Sequence, residues 1–158
     1  MDKLTEYKVM LINPKEPKTA ELLNKLYKGS DGTNGLEVAI NAYKTELSLM
    51  TEMPEDMFAI RGTAICVAFT DDYRVLGFVS VGIDQMTSSI CIEHVYVRPE
   101  VRQKGIYKLM LKRIEKMAKD AKCDRIMAFV FDVNGASKMA HRYLGFKRKM
   151  IGFMKEVQ

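Results

Sequence analysis

The stretch from residue 90 to residue 121 constrains this chain more than any other. Residues 90–97 carry β-branched or aromatic side chains at most positions and read as a strand. Pro99 has no N–H to give to a ladder and ends it. A short basic turn follows, with Arg102, Lys104 and Gly105. Beyond it Ile106, Leu109, Met110, Ile114, Met117, Ala118 and Ala121 recur three and four apart, the apolar stripe of an amphipathic helix over 105–121. Strand, cationic loop and helix N-terminus in that order suit a polyphosphate. The first-turn N–H groups have no carbonyl partner of their own, and the helix dipole is positive at that end.

The remaining chain supplies the context for this unit. Residues 6–12 read as a strand ended by Asn13-Pro14, and 19–28 as a helix with Ala20, Leu23, Leu26 and Tyr27 on one stripe. A loop with Gly29, Gly32 and Gly35 leads to a second helix over 36–49. Strands over 63–70 and 75–83 flank a four-residue hairpin connection, and 89–97 is the next strand. The helix at 105–121 crosses to an apolar strand at 125–130, and a strand-helix-strand unit of this length implies a parallel pair. A short helix at 136–144 and a last strand at 147–157 complete the order. The expectation is a mixed α/β sheet flanked by helices, in a single domain over 1–158.

Composition narrows the function classes. No apolar run approaches the roughly 20 residues of a membrane span, and the first residues lack a signal-peptide pattern. Cys66, Cys91 and Cys123 form no Cys-x-x-Cys pair and read as reduced thiols of a cytoplasmic protein, with no metal site expected. Charge is uneven: residues 1–60 are net −3, residues 61–97 net −2, and residues 98–158 net +10. The basic end fits an anionic cofactor or nucleic acid, and the acidic end weakly favours an amine.

Val97-x-Pro99-x-x-Arg102-x-x-Gly105-x-Tyr107-x-x-Met110-Leu111 resembles the acetyl-coenzyme A (acetyl-CoA) motif of the GNAT superfamily of N-acetyltransferases. Asn134-x-x-Ser137-x-x-x-His141-x-Tyr143-x-Gly145-Phe146 resembles that family's closing motif. The resemblance implies the GNAT fold, a mostly antiparallel sheet whose central parallel pair splays apart around the pantetheine chain. It places main-chain contacts to pantetheine at Val95, Tyr96 and Val97. It places pyrophosphate contacts on the backbone from Gln103 through Lys104, Gly105, Ile106 and Tyr107 to Lys108. Arg102 would shape the loop, and Asn134 and Ser137 would contact the cofactor. Gln103 stands where Gly is frequent. Tyr107 stands where Gly or Ala is usual and would narrow the approach to the pyrophosphate.

Acetyl transfer to an amine needs a base for the amine proton, a donor for the carbonyl oxygen, and benefits from an acid for the thiolate. No nucleophilic side chain is required, and no cysteine has a base at motif spacing. Glu93 lies two residues before Val95, which by strand alternation puts it on the same side, and it is the candidate general base. His94 would point to the other face. Asn134, Ser137 and His141 share one stripe of their helix, whereas Ala136, Met139, Ala140, Tyr143 and Leu144 form its apolar face. His141 is therefore favoured as the acid, with Tyr143 read as core. The alternative is an enzyme with no dedicated acid, in which Ser137 contacts the cofactor.

The leading expectation is an acetyl-CoA-dependent N-acetyltransferase acting on a primary amine, either a protein N-terminus or lysine, a polyamine or another small amine. Two alternatives stand beside it: a non-catalytic GNAT-fold binder or regulator, and an acetyltransferase linked to tRNA or the ribosome. Nucleic acid is the less favoured partner, membrane is not expected, and a homodimer is in keeping with the resemblance.

Overall fold

A computed structural model of the chain describes residues 7–13, 15–60, 64–153, 155 and 157. The elements run β1 (Lys8–Ile12), α1 (Pro17–Lys28), α2 (Leu36–Thr51), a 3₁₀ turn at Glu55–Phe58, β2 (Ala64–Phe69), β3 (Val75–Asp84) and β4 (Ser89–Val97). They continue with a 3₁₀ turn at Pro99–Val101, α3 (Ile106–Asp120), β5 (Arg125–Ala128) and α4 (Gly135–Tyr143). The sheet order is β1-β2-β3-β4-β5, antiparallel except for the parallel β4–β5 pair. This is the mixed α/β architecture expected of the sequence.

One core lies on each face of the sheet. Ile106, Met110 and Ile114, four apart on α3, are buried against Val79, Val81, Ile90 and Ile92. On the opposite face Leu36, Ala39, Tyr43 and Leu47 of α2 pack with Phe78 and Tyr96. The i, i+4 repeat on each helix brings these side chains onto a single stripe, so burying one face orders the whole element. Tyr43 meets Phe78 edge-on at 5.6 Å between centroids, a favoured aromatic geometry.

Two expectations fail at the C-terminal end. The strand expected over 147–157 does not form among the described residues of that span. Lys147, Arg148 and Lys149 repel one another, Gly152 weakens an extended run, and β5 offers only four residues to pair with. Met150, Ile151, Phe153 and Val157 consequently remain exposed. The second failure concerns α4, whose expected apolar face is turned outward. Met139 and Tyr143 are exposed, the latter at 85 %, so Tyr143 is not core, while His141 is buried at 7 %.

Candidate active site

The site forms where β4 and β5 part. Their pairing runs from Ser89↔Arg125 to Ile92↔Ala128 and stops, so Glu93 is the first residue of β4 beyond the ladder. At the same point β4 carries a bulge: Ser80 of β3 faces His94, yet Val81 faces Ile92. Glu93 is the extra residue. The bulge resets the alternation of side chains. Ile92 and Val95 both pack on the α3 side, although they are three residues apart. His94 meets Tyr43 on the α2 side. Glu93 joins it there, because a Cβ on Gly82 of the α2 face would stand 3.0 Å from Glu93 Oε1. The alternation count therefore misplaces Glu93: it shares a face with His94, not with Val95.

Beyond the bulge, main-chain groups of β4 point into the gap. Arg98 donates its N–H to Leu76 O on β3. By the two-residue alternation of an antiparallel ladder, Tyr96 and His94 also direct their main-chain groups to β3, and Val95 and Val97 direct theirs to the β5 side. Arg102 Nε bonds Val97 O at 2.8 Å, which agrees with that orientation. Of Val95, Tyr96 and Val97, the first and last thus turn main-chain groups toward the gap, the Val97 carbonyl being already taken by Arg102. Tyr96 instead places its ring in the α2-side core.

The basic loop has the backbone of an anion cradle. Gln103 and Gly105 both have positive φ, +62° and +81°, and Gly105 leads directly into α3. Left-handed residues close to a helix start turn successive N–H groups toward one point. The N–H groups of Ile106, Tyr107 and Lys108 belong to the first turn and lack intrahelical acceptors. Lys104 and Lys108 are exposed beside them. Arg102 is occupied in holding the loop: besides Val97 O it pairs with Glu46 at 2.8 Å and lies over the Tyr96 ring. Arg102→Lys keeps the charge but cannot span both partners. We expect the KM for acetyl-CoA to rise about tenfold with a smaller change in kcat, measured by thiol release. Gln103→Gly removes a left-handed non-glycine residue and should stabilise the fold by about 0.5–1 kcal/mol in a urea melt.

Tyr107 does not lie across this cradle. Its ring packs against His141 of α4, and its hydroxyl bonds His141 Nε2 at 2.8 Å. His141 Nδ1 lies 2.7 Å from Ser137 O, an acceptor, so Nδ1 carries the proton and Nε2 accepts from Tyr107. Burial lowers the His141 pKa, against a smaller opposing effect of the Ser137 carbonyl. Both ring nitrogens are engaged, and burial favours the neutral imidazole. Asn134 caps α4 by accepting from Ser137 N at 3.1 Å, and both residues are partly exposed. Tyr143 faces solvent.

Sequence reasoning missed the Tyr43–His94 pair, joined at 2.7 Å. Burial lowers the His94 pKa, Ala59's main chain opposes that by a hydrogen bond, and Lys44 adds to the lowering. Tyr43, at i+7 from Leu36 on a helix, reads as apolar stripe, and nothing local signals a cross-element partner. Cys66 is buried, which pushes its thiol up to about 12, so it offers no thiolate. Among the described residues no helix is long and apolar enough to cross a membrane.

A bulged strand parting from a parallel neighbour, followed by an anion cradle at a helix start, defines a class of acyl-CoA-dependent transferases. The family model described as the acetyltransferase (GNAT) family matches residues 36–146, and the chain belongs to that family of N-acetyltransferases. Among solved structures, a nourseothricin acetyltransferase is 26% identical, with a TM-score of 0.51, over 53% of this chain and 49% of that chain. An aminoglycoside N-acetyltransferase in complex with CoA is 17% identical, with a TM-score of 0.60, over 99% of this chain and 98% of its own. A ribosomal-protein-alanine N-acetyltransferase from Brucella melitensis is 12% identical, with a TM-score of 0.64, over 97% and 100%. The first match spans about half of each chain, and the other two speak for the fold. No curated protein matches the chain in sequence.

Proposed function

We propose that the protein moves an acetyl group from acetyl-CoA to a primary amine by direct attack. Acetyl-CoA, when bound, supplies the activated acyl group as a thioester. The observation that carries the reading is Glu93 at the bulge, beside main-chain groups of Val95 and Val97 that face the gap. Val95, Val97 and the cradle from Gln103 to Lys108 would hold the cofactor, with Asn134 and Ser137 near its far side. Complexes of a fold neighbour with CoA support that fit.

Glu93 accepts the amine proton, directly or through one water, as the new C–N bond forms. A main-chain N–H of Val95 or Val97 donates to the developing oxyanion. Breaking of the C–S bond would release the thiolate into the cleft, where it would take a proton from solvent. Of the two accounts of its protonation, we favour the one without a dedicated acid, because both His141 nitrogens are bonded within the protein and Tyr143 faces solvent. Calorimetric titration of acetyl-CoA and CoA, followed by thiol release over a panel of amines, tests the proposal. Binding and release are expected; failure of both ligands to bind would end it.

A further inference from the structure

A cavity of about 480 Å³ opens between α1, α2 and β2, with Leu23, Tyr27, Ile40, Ile60 and Ile65 in its wall. Its polar groups are the Asn24 amide, the Tyr27 hydroxyl and the Lys44 ammonium, and no carboxylate lines it among the described residues. Its volume suits a small organic ligand lying in an open groove. We infer that this cavity receives the acceptor, and that the acceptor is a primary amine bearing an apolar group and an anionic group of carboxylate type, rather than a polycation. This deepens the transferase reading above and rests on it.

Position supplies the first argument. Ile65, Ser80 and His94 are successive cross-strand partners on the α2 face, so the cavity wall lies two strand spacings from the residue after Glu93. Ala59 belongs both to the wall and to the hydrogen bonding of His94. Between wall and bulge sits Ser80, fully buried, whose Oγ has no protein partner.

Charge supplies the second. Lys44 is half-buried and makes no ion pair among the described residues. The residues three and four away on α2, Ile40, Asn41, Leu47 and Ser48, are all uncharged. A half-buried ammonium with uncharged neighbours on its helix attracts an anion, since less water screens the pair than at the open surface. A ligand with several ammonium groups would face the opposite: mostly apolar walls and, among the described residues, one cation and no neutralising carboxylate. An amine with a leucine- or phenylalanine-sized side chain and a carboxylate matches wall and charge together.

The test compares three sets of amines with acetyl-CoA: L-leucine and L-phenylalanine; isoamylamine and phenethylamine, which lack the carboxylate; and spermidine and neamine. The amino acids should show kcat/KM about tenfold or more above both other sets, the size of one charge-assisted contact. Lys44→Met should remove that advantage mainly through KM, while kcat/KM for isoamylamine and phenethylamine changes by about twofold or less. Preference for the polycations, or equal effects of Lys44→Met on all sets, overturns the inference while leaving the transferase reading intact. N-acetyl-L-phenylalanine titrated into the CoA-loaded protein gives a readout without turnover. Shifts of the Ile40, Ile60 and Ile65 methyl NMR signals are expected, and no shift at millimolar ligand overturns the assignment. Failure of CoA itself to bind is a different result, and it sinks the transferase reading.

Discussion

Glu93→Gln should lower kcat by about 10²- to 10⁴-fold, the range for loss of a positioned general base, while the Kd for acetyl-CoA changes little. Gln has nearly the shape of Glu and can still form hydrogen bonds at the bulge, so a structural role would survive the exchange. In the proposed site the cofactor would be held by main-chain groups of β4 and the cradle, to which Glu93 does not contribute. A residue whose work is proton transfer loses kcat; a residue whose work is to hold the bulge would change stability instead. Gly82→Ala provides an independent check. The new methyl would stand 3.0 Å from Glu93 Oε1, so the carboxylate must shift without being removed. We expect a smaller fall in kcat, about tenfold, with the melting temperature nearly unchanged. Thiol release in Glu93→Gln at the wild-type rate would take Glu93 out of the mechanism.

That prediction depends on a feature that strand periodicity does not carry. Counting by twos from Val95 puts Glu93 on the α3 side, in a crowded apolar core where a charged carboxylate would be costly. The bulge avoids this cost by adding one residue to β4 against β3. The insertion is set by the register of Gly77↔Val97 on one side and Asp84↔Ser89 on the other, both fixed by long-range pairing. The stripes of α2 and α3, by contrast, depend on spacing within one helix, and they were readable from the residues alone. So was the cradle, because Pro99, Gly105 and the helix start are all local signals.

The α4 helix shows a different limit. Its nine residues include four apolar ones on one side, and hydropathy alone would turn that side inward. The structure instead buries His141, which makes three specific contacts: Tyr107 at Nε2, Ser137 O at Nδ1, and the edge of Phe146 at 5.0 Å. Two of the four apolar residues are alanines, whose burial yields little. A histidine with both nitrogens satisfied can outweigh them, but its partner lies 34 residues away, on α3. Tyr107, which as a motif departure suggested a narrowed cofactor site, is the other half of that contact. The exchange of a small residue for Tyr and the placement of His seven after Asn134 are therefore one feature rather than two.

His141→Ala should destabilise the protein by about 3–4 kcal/mol, since it empties a buried ring site and leaves the Tyr107 hydroxyl without its acceptor. The same geometry sets a pH dependence. His94 and His141 are the only histidines in the chain, and burial lowers the pKa of each below the ordinary 6.5. Above pH 6.5 folded and unfolded chains both hold these rings neutral, and their full contribution to stability is present. Below it the unfolded chain takes up protons that the folded chain refuses, so stability falls as pH drops toward the folded pKa values. The steepest slope two such groups can give is about 2.7 kcal/mol per pH unit. Urea melts between pH 8 and pH 5 should be flat at first and decline below about 6.5. His141→Gln, which can still accept from Tyr107, should roughly halve the decline at a smaller cost in stability than His141→Ala. A wild-type profile flat down to pH 5 would mean that neither ring is held neutral. The variant also separates the two accounts of His141 in catalysis. If the imidazole protonates the leaving thiolate, His141→Gln loses kcat at every pH. If the ring ties α3 to α4, kcat at pH 8 survives and the change appears in the melts.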